Sequence, residues 1–161
     1  MTIRKANPAD IPTIRGLAWE IWPPTYNSIL NGEQINYMLD LLYSEEILRE
    51  QMMQGIEFMM VEEGETAVGF ASYDLAKPGV YKLHKIYVLP SLQGKGAGRF
   101  IIEEVIKNIK HKGAITLQLN VNRHNNAKNF YEKLGFAVIK EEDINIGNGY
   151  FMNDYVMEKK V

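Results

Sequence analysis

The sequence predicts a mixed α/β domain (α+β class) built on one sheet, and two observations lead to this fold class. The spacing of apolar residues alternates along the chain between a helical period of about 3.6 residues and a strand period of about 2. A cluster of three glycines, Gly94, Gly96 and Gly98, stands between a strand-like and a helix-like stretch. Chains that intersperse strands and helices in this way fold as one sheet covered by helices.

Length and composition are those of an ordinary globular chain. The 161 residues suit one domain, 1–161, and a net charge of −2 gives no basic excess for nucleic acid or anionic lipid. The absence of cysteine excludes disulfides, thiolate metal sites and cysteine nucleophiles. The N-terminus is too polar for a signal peptide, and no apolar run reaches membrane-spanning length. We therefore expect a cytoplasmic protein that binds neither membranes nor nucleic acid.

The N-terminal part of the chain begins with a short strand and a helix. The strand covers 2–6, and the helix covers 10–22 with Asp10 as its N-cap. The apolar stripe of this helix consists of Ile14, Leu17, Ala18 and Ile21. Pro23 and Pro24 are predicted to end it, because proline cannot continue a helix.

Two further helices are predicted before the period changes. The first covers 33–43 and the second covers 44–55. Ser44 is the expected N-cap of the second helix, and Gly55 supplies its stop.

Strands then alternate with helices to the end of the chain. Residues 56–75 form two strands around a turn at Glu63–Gly64, and a third strand over 80–90 ends at Pro90. A helix, a strand, a helix and two closing strands follow over 98–110, 114–121, 125–134, 136–142 and 154–160.

The glycine cluster that follows Pro90 has the make-up of an anion site. Glycines let backbone N–H groups converge, the helix start adds partial positive charge, and Lys95 and Arg99 supply full charges. A phosphate or diphosphate is the natural guest. A P-loop would need Ser or Thr where Gly96 stands, and a dinucleotide fingerprint would need glycine where Arg99 stands. A tight turn that needs glycine only for its geometry is the alternative without function.

Two segments resemble the signature of the GNAT superfamily of acetyltransferases. In "VLPSLQGKGAG" (88–98), Gln93, Gly96 and Gly98 hold the positions that bind diphosphate in that family. The second segment is "NNAKNFYEKLGF", and its matching residues are Asn125, Ala127, Phe130, Tyr131, Lys133, Gly135 and Phe136. Many members place the asparagine where His124 stands here, so either Asn125 or another side chain meets the cofactor.

The resemblance implies a GNAT-like fold with a single mixed, mostly antiparallel sheet of about six to seven strands and about four to five helices. It also implies acetyl-CoA as the donor, a primary amine as the acceptor, and no metal. The strands over 80–90 and 114–121 are expected to splay apart, with the pantetheine arm between them. The residues expected at the cofactor are Tyr87, Val88, Gln93, Gly94, Lys95, Gly96, Ala97, Gly98, Arg99 and Asn125.

Tyr131 and His84 are the expected catalytic residues. In the resembling family the tyrosine of this helix points at the CoA sulfur, so Tyr131 is the expected acid for the leaving thiolate; the alternative is a packed aromatic. An imidazole titrates near neutral pH, which suits His84 as a base. Strand alternation places it on one face with Lys82, Ile86 and Val88, unless a bulge intervenes. A structural histidine, or proton transfer through waters alone, is the alternative.

Glu20, Trp22 and Tyr26 are the expected acceptor-binding residues. The N-terminal segment is rich in aromatic and acidic residues, which suit a cation through cation–π contacts and ion pairing. It resembles the branch of the superfamily that acetylates polyamines and related small amines, so a small cationic amine is the expected acceptor. Ordinary core aromatics and a solvated acidic face are the alternative.

Three other functions stay open from the sequence. They are acetylation of a protein N-terminus or lysine, a non-catalytic CoA-binding module, and binding of a nucleotide phosphate. The two closing strands also offer contacts for a homodimer.

Overall fold

Seven strands form one mixed sheet in the computed structural model, which describes residues 1–161. The strands are β1 (Thr2–Lys5), β2 (Glu57–Glu63), β3 (Thr66–Lys77), β4 (Val80–Val88), β5 (Thr116–Asn122), β6 (Ala137–Gly147) and β7 (Tyr150–Lys160). Their order across the sheet is β1-β2-β3-β4-β5-β7-β6. Only β4 and β5 pair in parallel, and every other neighbouring pair is antiparallel.

Five α-helices cover the two faces of this sheet. They are α1 (Ile11–Tyr26), α2 (Gly32–Leu42), α3 (Glu45–Met53), α4 (Ala97–Lys110) and α5 (Ala127–Lys133). The first three pack on one face in a cluster with buried residues of β2 and β3, and α4 and α5 pack on the other face. None of the five has the length and hydropathy needed to cross a bilayer. The predicted fold class, with its strand and helix numbers, is confirmed.

The end of α1 differs from the prediction, because the helix continues through Pro23 and Pro24 to Tyr26. The two prolines remove the N–H partners of the carbonyls of Trp19 and Glu20, and both of these residues are exposed, so water reaches the freed carbonyls. Helical hydrogen bonding resumes at once, since the N–H of Asn27 donates to the Pro23 carbonyl at 2.9 Å.

The N-terminal caps are mixed in outcome. Asp10 precedes α1 but makes no side-chain cap bond, because its carboxylate accepts hydrogen bonds from Arg4 and from the N–H of Asn7 instead. Ser44 caps α3 as predicted, its Oγ accepting from the N–H of Ile47 at 3.1 Å.

The parallel pair β4–β5 opens into a fork part-way along its length. The two strands pair from Val80 opposite Thr116 as far as Leu83 opposite Leu119. Beyond that point β4 runs on to Val88 while still paired with β3, and β5 runs on to its own end paired with β7. The backbone edges that face each other across the fork are therefore unpaired, as the resemblance to the GNAT superfamily implied for these strands.

A β-bulge at His84 sets which way the side chains of β4 point. The register with β3 shifts there, since Leu83 lies opposite Tyr73 and Lys85 lies opposite Ser72. The expected single face for Lys82, His84, Ile86 and Val88 is therefore wrong. Ile86 and Val88 pack on the α4 side, whereas Lys82 stands opposite Asp74 on the other face.

Candidate active site

A cleft of about 960 Å³ follows the fork across the molecule. One end lies between the loop at 93–99 and α5, and the other end lies between the sheet and α1, α2 and α3. We call the first end the donor half and the second end the acceptor half. The fork between β4 and β5 joins the two halves, so a ligand in one half can reach a ligand in the other.

The loop that opens the donor half presents free backbone donors. Gly94 and Gly96 adopt left-handed φ values of 77° and 83°, and α4 begins at the next residue without a side-chain cap. The N–H groups of Gly96, Ala97, Gly98 and Arg99 donate to no protein acceptor, although these residues line the cleft. Free N–H groups at a helix N-terminus form an anion site, which fits the diphosphate of a coenzyme.

Close packing between α4 and α5 needs a glycine at one position of this loop. A Cβ placed on Gly98 would lie 2.9 Å from Cζ of Phe130. Most of the predicted cofactor residues line the cleft, namely Tyr87, Val88, Gln93, Gly94, Gly96, Ala97, Gly98, Arg99 and Asn125. Lys95 is exposed and does not line it. The side chain of Asn125 is engaged locally, its Oδ1 accepting from the N–H of Ala127 at 2.9 Å.

Aromatic side chains fill the junction of the two halves. Trp22 and Tyr26 on α1 have ring centroids 4.7 Å apart, and the hydroxyls of Tyr26 and Tyr87 lie 3.0 Å apart. The ring of Tyr43 also contacts Trp22, edge to face, at 5.7 Å. Burial raises the pKa of Tyr26, Tyr43 and Tyr87, so these hydroxyls stay protonated at neutral pH and act as hydrogen-bond donors.

Tyr131 reaches the same junction from α5. It is buried, and its ring packs against Phe130 and Phe136 at centroid distances of 5.3 and 5.9 Å. Burial, followed by the nearby Tyr26, raises the pKa of its hydroxyl. Tyr131 lines the cleft with the loop glycines, so a protonated phenol stands beside the donor half.

His84 lies at the bulge and lines the cleft, but it is more exposed than the tyrosines. Its Nε2 is 2.6 Å from Oδ1 of Asp74. Since a carboxylate can only accept, Nε2 is the donor in this contact. Its role as the base stays a prediction.

Two of the three predicted acceptor residues lie in the cleft. Trp22 and Tyr26 line it, whereas Glu20 is exposed on α1 and does not. Residues two apart on a helix point about 200° apart, so Glu20 and Trp22 face different ways. The indole Nε1 of Trp22 is buried without a hydrogen-bond partner in the protein.

Lys85 is a cleft residue that the sequence analysis missed. It is buried on β4, its Nζ lies 3.3 Å from Oε1 of Gln51, and it sits over the rings of Tyr43 and Phe58 at 5.3 and 5.8 Å. No carboxylate pairs with it, and burial lowers its pKa to about 8. The only sequence signal was a lysine at a strand position where the pattern is otherwise apolar.

Asp154 is the second missed residue and the only carboxylate that lines the cleft. It lies on β7 opposite Asn122, and its Oδ2 accepts a hydrogen bond from Nδ2 of Asn120 at 3.2 Å. Burial raises its pKa, and the hydrogen bond from Asn120 opposes this shift. Its position beside the fork depends on strand order, which the local sequence does not reveal.

The hairpin of β6 and β7 closes the outer side of the acceptor half against α2. The hydroxyl of Tyr37 donates to the carbonyl of Ile146 at 2.7 Å, and Nε2 of Gln34 donates to the carbonyl of Phe151 at 3.1 Å. The ring of Tyr150 lies 5.3 Å from that of Tyr37. The hairpin and α2 therefore form a wall along this side of the acceptor half, where Gln34 and Phe151 line the cleft.

Comparison with known proteins decides the family. Residues 29–159 match the sequence profile of the acetyltransferase (GNAT) domain family. The chain belongs to the GNAT acetyltransferase family. It is accordingly an N-acetyltransferase that uses acetyl-CoA, and the alternatives of a non-catalytic module and of a nucleotide-phosphate binder are set aside.

Relatives cover nearly the whole of this GNAT chain. It is 31% identical to the spermidine N(1)-acetyltransferase of Thermoplasma acidophilum, over 98% of this chain and 96% of that one. It is similar to the crystal structure of the PaiA N-acetyltransferase of the same organism in complex with coenzyme A, with a TM-score of 0.85, 30% identity and coverage of 99% and 98%. The ribosomal-protein-S18-alanine N-acetyltransferase of Escherichia coli shares the fold, at a TM-score of 0.75 and 20% identity over 99% of this chain and 93% of that one.

Proposed function

We propose that this enzyme transfers the acetyl group of acetyl-CoA to a primary amine of a small cationic molecule, with polyamines as the first candidates. The observation that carries the proposal is the acceptor half, which is lined by aromatic rings, contains one buried carboxylate and is walled on its outer side by the β6–β7 hairpin and α2. Aromatic faces and a carboxylate attract a cationic amine. The near full-length similarity to a spermidine N(1)-acetyltransferase supports the same substrate class.

The donor half suits coenzyme A in three respects. The free N–H groups of Gly96 to Arg99 can bind the diphosphate, helped by the N-terminus of α4. The guanidinium of Arg99 adds a full charge at the same end. The unpaired edge of β4 at Tyr87 and Val88 can pair with the amide groups of the pantetheine arm, which directs the thioester into the fork.

The junction of the two halves carries the groups that acetyl transfer needs. Free primary amines have a pKa of about 10.4, so a proton must leave before attack. Nδ1 of His84 can take that proton directly or through water, while Asp74 holds the ring. A backbone N–H of β4 can stabilise the oxyanion of the tetrahedral intermediate. The amine then displaces the CoA thiolate, and the hydroxyl of Tyr131 donates a hydrogen bond or a proton to that sulfur.

Acetylation of protein N-termini or lysines is the alternative, and the wall formed by α2 and the hairpin argues against it. A polypeptide acceptor needs a groove that admits chain on both sides of the reacting residue or a wide entrance for a terminus. Here the hairpin tip and α2 are joined by two hydrogen bonds across the outer side. The fold likeness to an enzyme of ribosomal protein S18 is too distant in sequence to carry a substrate.

A panel of acceptors tests the proposal directly. Purified enzyme is supplied with acetyl-CoA and, in separate reactions, with spermidine, spermine, putrescine, an alanine-terminated peptide or a lysine-containing peptide. Release of free CoA thiol gives kcat/KM, and mass spectrometry identifies the product. We expect kcat/KM for at least one polyamine to exceed that for either peptide by about 100-fold or more, the ratio that about 3 kcal/mol of selective binding provides. Preference for a peptide, or no transfer to any polyamine, would contradict the proposal.

A further inference from the structure

We propose that Asp154 is the acceptor-binding carboxylate, which holds a protonated nitrogen of the cationic amine beside the fork. This inference rests on the proposed function and assigns a residue to it. Three features of the structure carry it: where Asp154 lies, what its two oxygens contact, and which charges surround it.

The position of Asp154 follows from the register of β7. It lies opposite Asn122, which is beyond the last β4–β5 pair at Leu83 and Leu119, and so it stands at the open part of the fork. Its side chain shares a face with those of Asn120 and Asn122, and that face is opposite the one on which Leu119 packs toward α4. Asp154 therefore points into the acceptor half, on the side of Tyr26.

The carboxylate of Asp154 is buried, and only one of its two oxygens accepts a hydrogen bond from the protein. The residue is 4% exposed, and no lysine, arginine or histidine nitrogen lies within ion-pair distance of it. Its Oδ2 accepts from Asn120, and its Oδ1 accepts from no protein donor. A buried carboxylate without an ion-pair partner lowers the stability of the fold, so its presence here indicates a role in binding. A cation that enters the cleft supplies the missing partner.

The cationic side chains near Asp154 contact groups other than its carboxylate. Lys82 is the cation on the neighbouring strand, but its Nζ donates to Oδ1 of Asn120, which stands between the two charges. Arg123 pairs with Asp143 and Glu141 and donates to the backbone carbonyl of Asp154 rather than to its carboxylate. Glu142 adds a negative charge beside Asn120. No other carboxylate lines the cleft, whereas the buried Lys85 repels a cation. An ammonium group in the acceptor half is therefore drawn to Asp154.

A purely structural role would have the opposite effect on stability. If Asp154 served only to hold Asn120, its neutralisation would weaken that hydrogen bond and lower the Tm. A buried carboxylate whose charge no cation compensates destabilises the free protein, and burial raises its pKa for the same reason. If Asp154 binds the amine, its neutralisation raises the Tm of the free protein and lowers kcat/KM for the cationic amine.

The test compares Asp154→Asn with Glu142→Gln. Both changes remove one negative charge from a side chain that accepts a hydrogen bond from Asn120, but only Asp154 lines the cleft. We expect Asp154→Asn to raise the Tm of the free enzyme by about 2 to 4 °C. We also expect it to lower kcat/KM for spermidine by about 10- to 100-fold, the loss typical of a charged hydrogen bond, while KM for acetyl-CoA stays unchanged. Glu142→Gln should leave the Tm, kcat/KM for spermidine and KM for acetyl-CoA close to their wild-type values.

The outcomes separate the assignment from the function on which it rests. If wild-type enzyme acetylates spermidine and Asp154→Asn keeps its kcat/KM within about twofold, the Asp154 assignment is overturned and the proposed function stands. If Asp154→Asn lowers the Tm of the free protein and changes kcat/KM no more than Glu142→Gln does, Asp154 has a structural role. That result also overturns its assignment as the acceptor-binding carboxylate. If the wild-type enzyme acetylates no cationic amine, the proposed function fails and takes this assignment with it.

Discussion

Tyr131 is the side chain that we propose as the hydrogen-bond donor to the leaving thiolate. Its hydroxyl is buried among aromatic rings, where burial raises its pKa, so it is protonated throughout the neutral range. A thiolate that forms beside this hydroxyl can accept its hydrogen bond at once, because the packed ring already holds the donor in place. Replacement by phenylalanine keeps the ring and its packing and removes only this donor.

We expect Tyr131→Phe to lower kcat about 100-fold, at the lower limit of typical general acid contributions. KM for acetyl-CoA and the Tm should stay close to wild type, because the substitution removes no packing. Steady-state thiol release at saturating acceptor, with a thermal melt of the same preparation, measures both. Tyr26→Phe is a useful comparison, since it removes another buried phenol at the junction, one whose hydroxyl already has a partner in the hydroxyl of Tyr87. An unchanged kcat in Tyr131→Phe would remove this residue from the mechanism.

At the scale of elements, two glycines with similar backbone conformations flank α4, and only one of them lies at the cleft. Gly96 precedes the helix and Gly113 follows it, both have φ near the left-handed region at 83° and 87°, and a Cβ on either meets nothing within 4 Å. Alanine at either position costs about 1 kcal/mol of backbone strain. Only Gly96 belongs to the loop whose free N–H groups line the cleft.

We therefore expect Gly96→Ala and Gly113→Ala to lower the free energy of unfolding by similar amounts, and only Gly96→Ala to weaken CoA binding. The expected loss is about tenfold in Kd, which corresponds to about 1.4 kcal/mol. Urea unfolding compares the stabilities, and calorimetric titration with CoA compares the affinities. Equal Kd values in the two variants would mean that the diphosphate is bound elsewhere.

The elements also show where sequence patterns stop being informative. The helix and strand pattern and the glycine loop are local properties, and their positions were predictable from spacing alone. The continuation of α1 through Pro23 and Pro24 was not, because it depends on the exposure of two carbonyls. The bulge at His84 was not either, and it decides which face of β4 carries Lys85.

At the scale of the whole molecule, the site is assembled from segments that are far apart in the chain. Tyr131 and the loop glycines were predictable because they belong to contiguous motifs. Asp154 was not, because its place beside the fork follows from the insertion of β7 between β5 and β6. Nothing near it in the sequence indicates that Tyr26, 128 residues earlier, faces the same cleft.

The contact between α2 and the β6–β7 hairpin is the long-range feature that gives the acceptor half its outer wall, and it supports a last prediction. Tyr37→Phe removes the hydrogen bond to the carbonyl of Ile146 and keeps the ring, so the hairpin tip loses one of its two polar ties to α2. Tyr150→Phe is the matched control, because its ring packs on Tyr37 but its hydroxyl makes no hydrogen bond in the protein. We expect Tyr37→Phe to raise KM for the amine about three- to tenfold, the effect of one neutral hydrogen bond, while KM for acetyl-CoA stays constant.

Hydrogen exchange of the amides at 145–149 should become faster in the same variant. If the amine KM and the exchange rates match those of Tyr150→Phe, the hairpin does not close the pocket through this contact, and the preference for small acceptors must come from the pocket lining alone.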